Sequence, residues 1–288
     1  MEFALILHED VPSTLISLLK QVLGTSKSFP LDQFDGNFQS CAYAVVLVRP
    51  RNGTVRLETA EWINQYAEPL GACKTGLICL EGNNFGARET LFAASEQWKN
   101  LFCFYDSIQL PGNLNEKRIP GKLAQRLIQW KRMLKDGSDM PETDLMKQVE
   151  AILRAHNTCT LCTGFGGHVR ATPLEYIYAG GSLYFLTEGG EKLANIAVNP
   201  HVSIAVYKEF TGMGELESVQ IEGTAKLVEA FSPEYVDVIT QKGYSEANLK
   251  AMPLTLNMLK VEPTRFEILK SDLRKSDHNT KQTFQKPI

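Results

Sequence analysis

Four apolar runs constrain this chain most: FALILHE (3–9), AYAVVLVRP (42–50), TGLICLEG (75–82) and LFCFYDSIQLPG (101–112). Each is short, and the first three are nearly continuous in Ala, Val, Ile and Leu. A strand reads this way when both of its faces are covered. The segments between them carry a helical period. In STLISLLKQVL (13–23), Leu15, Leu18, Leu19 and Val22 share one face, with a start at Pro12 or Ser13 and a stop at Gly24. TAEWINQYAEPLG (59–71), with Trp62, Ile63 and Tyr66 as its apolar side, and ARETLFAASEQWKN (87–100) also read as helices. So does GKLAQRLIQWKRMLKDG (121–137), which ends in basic residues and Gly137, as suits a helix C-terminus. Strand and helix alternate, so the spacing predicts a parallel α/β sandwich with right-handed crossovers.

The pattern changes at KDGSDMPETDL (135–145), a polar segment with clustered Gly, Ser, Asp and Pro that reads as a linker. The expected domains are residues 1–137 and 144–288, and 288 residues suit two cores better than one. Helix DLMKQVEAILRAH (144–156) opens the second, with Met146, Val149, Ile152 and Leu153 as its apolar stripe. Strand-like segments follow, joined by tight turns such as Gly164-Phe165-Gly166-Gly167 and Ala179-Gly180-Gly181. They predict a small antiparallel barrel, so the fold class is α/β followed by mainly β.

Composition narrows the function. Hydrophobic residues make up 43% and charged residues 22%, as in ordinary globular proteins. The net charge of −3 argues against nucleic acid as a partner. No run approaches the length of a membrane helix, and MEFALILHED lacks the basic start of a signal peptide. A cytoplasmic location is expected, and the six cysteines (41, 73, 79, 103, 159 and 162) are expected to be free thiols. The sequon Asn52-Gly53-Thr54 then has no role.

The densest chemistry lies in residues 166–206. Strand SLYFLT runs into Glu188-Gly189-Gly190 and then EKLANIAVN, whose Leu193, Ile196 and Ala197 are expected to face the core, with Lys192, Asn195 and Asn199 on the other side. A helix N-terminus offers free amides and partial positive charge, and glycines let a ligand approach the backbone. Lys192 adds a full charge, and Arg170 on the preceding hairpin adds a forked donor suited to phosphate. These residues describe a phosphate seat; the alternative is that both cations are solvated surface charges.

VRATPLEYIYAGGSLYFLTEGGEKLANIAVNPHVSIAV followed by VQIEGTAKLV resembles the FMN-binding split barrel of the pyridoxamine 5′-phosphate oxidase superfamily. The shared features are a strand arginine, a hairpin, an aromatic-x-Thr strand end, a glycine turn, a lysine, and a helix closing on Asn-Pro and Val-Ser. The resemblance spans roughly residues 146–275. It implies that FMN is the cofactor, with its phosphate on Arg170, Lys192, Thr187 and the backbone near Gly190, and its ring against Ala171, Thr172 and Pro173. It also implies a homodimer with flavin between subunits, and it adds Ser218 to the site, five residues before Gly223. The chain departs from pyridoxamine-phosphate oxidase itself. Glu175 stands for a second lysine, Glu191 for an arginine and Ser218 for a glutamine, and SDLRKSDHNTKQ (271–282) shows no Arg-x-His element. Oxidation of vitamin B6 is therefore not expected. The first domain resembles the flavodoxin-like fold, but its loop HEDVPST (8–14) has two acids and no glycine, so no flavin is expected there. The loop GNNFGARET (82–90) is read as a turn, with ligand contact as the alternative.

The expected function is that of a flavin-dependent oxidoreductase, supplied with electrons by NAD(P)H or a protein, with no catalytic side chain identified and no metal. The alternative is a non-catalytic flavin- or haem-binding module whose N-terminal domain docks a protein; F420 is a further candidate ligand. Cys159 and Cys162 form a CxxC, but on a strand they face opposite sides, and buried thiols are expected. His156 and His168 lack metal-ligand spacing, Tyr176 and Tyr178 are expected to pack, with approach to a flavin as the alternative, and the basic tail is expected to be mobile, with crossing to a dimer mate's flavin as the alternative.

Overall fold

The computed structural model describes residues 3–51, 54–81, 87–110, 114, 119–251 and 253–286. The chain divides into two compact units, Met1–Asp136 and Gly137–Ile288. The first contains β1 (Phe3–His8), α1 (Ser13–Leu23), β2 (Ser26–Pro30), β3 (Cys41–Val48), α2 (Leu57–Gln65), α3 (Ala67–Ala72), β4 (Lys74–Glu81), α4 (Ala87–Gln97), β5 (Phe104–Gln109) and α5 (Gly121–Lys135). Its sheet is parallel throughout, in the order β2-β1-β3-β4-β5. This is the flavodoxin-like order.

The near-continuous apolar runs are explained by this layering. Ala4, Ile6, Val45 and Leu47 face a core shared with α1 and α5, while Leu5, Leu7, Ala44 and Val46 face one shared with α2, α3 and α4. Trp130 of α5 is fully buried, and its indole N–H donates to Asp106 Oδ2 at 2.6 Å. Strand β2 was not anticipated. Its sequence SKSFP has no fully buried residue and lies at the sheet edge, so it lacks the apolar signature of the inner strands. The single helix expected over 59–71 is two helices, broken at Tyr66 (φ −105°, ψ 19°). Gly82, Asn83, Asn84, Phe85 and Gly86 of the loop considered for ligand contact lie outside the described residues.

The second unit begins with α6 (Glu142–Ala155), which buries Leu145, Val149, Ile152 and Leu153. It continues through β6 (Thr158–Phe165), β7 (His168–Glu175), β8 (Ile177–Ala179), β9 (Ser182–Thr187), α7 (Glu191–Val198), β10 (His201–Tyr207), β11 (Glu217–Val228), α8 (Pro233–Thr240), α9 (Glu246–Lys250), β12 (Asn257–Lys270) and β13 (Lys281–Gln285). The sheet is a curled antiparallel half-barrel in the order β7-β6-β10-β11-β12-β9-β8. One edge of β12 pairs with β11; the other is divided, Asn257–Val261 pairing with β9 and Arg265–Leu269 with β13. That divided edge is the split of the barrel. It also corrects the expectation of a mobile tail: β13 is ordered, with Gln282 buried and Lys281 Nζ 2.7 Å from Glu267.

Strands β11 and β12 form the spine of this unit, and Gly223 marks a register shift in their pairing. A Cβ at Gly223 would stand 2.7 Å from the Glu262 carbonyl oxygen and 2.8 Å from Val261 Cγ1. The backbone partner cannot swing aside as a side chain would. Gly223→Ala is expected to destabilise the second unit by about 1–3 kcal/mol, read as a lower urea midpoint for its unfolding transition. An unchanged midpoint would show that the two strands separate freely there.

Candidate functional site

The β6–β7 hairpin turns through Gly166 (φ +52°), which sets Arg170 opposite Thr163. Alternation along β7 puts His168, Arg170 and Thr172 on one face and Ala171 and Pro173, both exposed, on the other. After β9 the chain turns through Gly189 (φ +137°) and Gly190 (φ +109°), conformations that other residues rarely adopt. Thr187 fixes this turn: its hydroxyl lies 3.2 Å from both the Gly189 nitrogen, which donates to it, and the Gly189 carbonyl. Gly190 is the N-cap of α7, and no side chain caps the first turn.

Helix α7 is held to the hairpin by two asparagines. Asn195, 1% exposed, donates from Nδ2 to Thr163 Oγ1 at 3.0 Å, and its Oδ1 lies 3.0 Å from His168 Nδ1. Asn199 donates to the Gly164 carbonyl at 2.8 Å. The consequence corrects the expected facing of this helix: Lys192, Asn195 and Ile196 are buried, whereas Ala197 is exposed. Polar anchoring to the strand outweighs the apolar pattern of a short helix. Lys192 is 7% exposed, and its ammonium donates to the Gly189 carbonyl of its own turn.

Arg170 reaches the same turn, with Nη1 3.0 Å from Glu191 Oε2. His168 Nε2 lies 3.4 Å from that same oxygen. The structure therefore gathers Arg170, Thr172, Thr187, Gly190 and Lys192 on the β7 face and around the α7 N-terminus. Thr172 Oγ1 is buried and has no hydrogen-bond partner. Ser218 is not gathered there. It lies on β11, paired with Tyr207 and Leu269. His168, Glu191, Asn195 and Thr163 join the site without having been singled out as its members. The available signal was the i, i+2 spacing of His168 and Arg170, which places both on one strand face.

The site suits an oxyanion. Its donors are a buried ammonium, a guanidinium, an unpaired hydroxyl and uncapped helix amides, and the Glu191 carboxylate offsets one of its two charges. Among the described residues no group of three or more His, Cys, Asp or Glu is placed to hold a metal ion. Cys159 points into the core and Cys162 away from it, and burial pushes the Cys159 thiol up to about 12, far from a reactive thiolate. Tyr176 packs, donating to the carbonyls of Leu153 and His156 at 2.9 Å. Glu175 pairs with Lys242. An open groove of about 600 Å³ is lined among others by Thr163, Gly164, Val169 and Asn199.

Residues 145–270 match the family model described as Pyridoxamine 5′-phosphate oxidase. Comparison of the sequence with curated proteins finds no match. Among solved structures, a haem storage protein of Vibrio cholerae is similar at 19% identity, over 41% of this chain and 89% of that one, with a TM-score of 0.36. A FAD-binding protein of Mesorhizobium loti is similar at 19% identity, over 44% of this chain and 92% of that one, with a TM-score of 0.33. The General Stress Protein 26 of Bacillus anthracis is similar at 16% identity, over 49% of this chain and 98% of that one, with a TM-score of 0.35.

Removal of the Asn195 amide leaves the Thr163 hydroxyl without its donor in a closed site. Asn195→Leu is expected to cost about 1–3 kcal/mol of stability, measured by urea unfolding, and to loosen α7 from β6. Unchanged stability together with unchanged hydrogen-exchange protection in α7 would show that this bond anchors nothing.

Proposed function

We propose that the protein is an FMN-dependent oxidoreductase, a reading supported by the match of residues 145–270 to the Pyridoxamine 5′-phosphate oxidase family model and by the antiparallel half-barrel of the second unit. The observation that carries the reading is the meeting of Arg170 with the uncapped first turn of α7, where Lys192 lies. The buried, partnerless Thr172 hydroxyl on the same strand face supports it, because such a group is costly unless something meets it. The residues present fit a flavin phosphate: Lys192 and Arg170 supply charge, and Thr187 and the amides after Gly190 supply neutral donors, while Ala171 and Pro173 are exposed on the other face of the edge strand β7.

FMN supplies hydride or electron transfer when bound, so the protein needs no acid–base dyad of its own. The chain's residues bind and orient. Arg170 exchanges the Glu191 carboxylate for phosphate. Lys192, already buried, adds charge with little further desolvation. Asn195 and Asn199 keep the helix terminus against β6. The substrate is one other than a B6 phosphate, since Glu175 and Glu191 stand where that chemistry has bases. The electron donor is NAD(P)H or a protein.

The protein acts as a homodimer in this reading, with flavin at the subunit interface. The open groove carries the highly exposed Val169, and a second copy supplies a cover for it as well as a route by which Ser218 comes near the flavin.

The test is the absorption spectrum of protein purified without added cofactor, followed by FMN titration of variants. Bands near ~375 and ~450 nm are expected. Lys192→Ala and Arg170→Ala are each expected to weaken FMN binding by about tenfold or more, and Glu191→Gln to strengthen it several-fold. Wild-type affinity in both alanine variants would overturn the seat; a single intense band near ~400 nm would replace flavin with haem. Anaerobic addition of NADPH separates enzyme from module. Rapid bleaching of the ~450 nm band supports turnover, whereas tight binding without bleaching by either NADPH or NADH removes nicotinamide as the donor.

A further inference from the structure

A second candidate site lies in the N-terminal unit. Its sheet order turns back at β1, which has β2 on one side and β3 on the other. In open α/β sheets this switch point forms a crevice beyond the carboxyl ends of the strands. A cavity of about 710 Å³ occupies that crevice, bounded by His8 at the end of β1, Pro30 at the end of β2 and Arg51 beyond β3. This volume is that of an ordinary small-molecule pocket.

The floor of the cavity is already filled by an anion of the chain itself. Glu9, 8% exposed, accepts the backbone N–H of Arg49 at 2.6 Å on Oε2 and the hydroxyl of Thr59 on Oε1. Arg56, the N-cap of α2, brings Nε to 3.8 Å of the same carboxylate. A backbone amide, a hydroxyl and a guanidinium at a helix N-terminus are what a phosphate would need, and a glutamate uses them. A dianion is further disfavoured by the exposed Asp10, Asp32 and Glu58 on the cavity wall.

One donor of the wall is left over. Trp62 Nε1 is buried and without a hydrogen-bond partner, whereas Arg56 Nε makes no hydrogen bond but is ion-paired with Glu9. An occupant must therefore present an acceptor to Trp62 Nε1. It must also present hydroxyl or amino donors to the three acids, since a carboxylate only accepts. Trp62 and Leu31 give it an apolar wall. A flat heterocycle with ring acceptors, joined to a sugar with free hydroxyls and carrying no phosphate, meets all of these demands. We propose that this cavity binds a nucleoside and rejects the corresponding nucleotide. The site is separate from the flavin seat and stands or falls without it.

The test is calorimetric titration of the full-length protein with adenosine, guanosine, cytidine and uridine, and with their 5′-monophosphates. At least one nucleoside is expected to bind, with its monophosphate weaker by about tenfold or more. Trp62→Phe keeps the ring and removes only the N–H, and is expected to weaken binding about tenfold. Asp32→Asn, at an exposed position, is expected to weaken it several-fold without disturbing the fold. The far-UV circular dichroism and the urea midpoint should be unchanged in both variants, which separates loss of this site from general unfolding. Absence of binding by all four nucleosides at millimolar concentration, equal or tighter binding of the monophosphate, or wild-type affinity in Trp62→Phe would each overturn the proposal.

Discussion

The Asn195 side chain is the constraint on which the C-terminal site depends. It is 1% exposed and bridges helix α7 to two points of the β6–β7 hairpin, Thr163 and His168. A buried amide must satisfy its groups, so the helix has one rotation and one depth at which it can sit. That placement buries Lys192, aims the first turn at β7 and brings Glu191 within 3.0 Å of Arg170. The glycines at 189 and 190 make the approach feasible, because both lie at positive φ. The charge arrangement therefore follows from a polar contact rather than from the apolar face of the helix.

The site's electrostatics are balanced rather than strongly basic. One guanidinium faces a single carboxylate, which the imidazole of His168 also approaches, and one ammonium is held on the Gly189 carbonyl of the adjoining turn. Such a cluster holds its cations in place before a ligand arrives. An incoming phosphate must displace the carboxylate from Arg170, but it meets a side chain already ordered. Because the Arg170–Glu191 pair is roughly half exposed, its own contribution to stability is small. The N-terminal unit uses the same device more completely: Glu9 is buried among donors that a phosphate would otherwise use. In both units a glutamate of the chain stands where an anion could bind, exchangeable in one and built in at the other.

Much of the architecture was legible in the chain. The continuous apolar runs at 42–50 and 75–82 could only be strands covered on both faces, and the Gly-punctuated second half announced antiparallel hairpins. What escaped lay where burial is one-sided or slight. Strand β2 is polar and at an edge; β13 is short and amphipathic, and gains its order from pairing with the free half of β12. The site residues were legible as types, since Arg170, Thr187, Gly190 and Lys192 stand in a recognisable spacing. Their pairings were not. Nothing in EKLANIAVN says that Asn195 outweighs Ala197 for the buried face, because that depends on Thr163, which lies 32 residues away. Ser218 shows the converse limit: its position in a motif does not bring it to the site within one chain.

The central claim is that a phosphate is what Arg170 and Lys192 hold. The most direct test is the ratio of dissociation constants for FMN and riboflavin on the unmodified protein, measured by fluorescence quenching at two ionic strengths. The two ligands share the ring and ribityl chain and differ only in the phosphate. The account requires FMN to bind at least about tenfold more tightly, with the advantage shrinking as salt is raised. Equal affinities at low salt would contradict it, since the seat would then be contributing nothing to recognition.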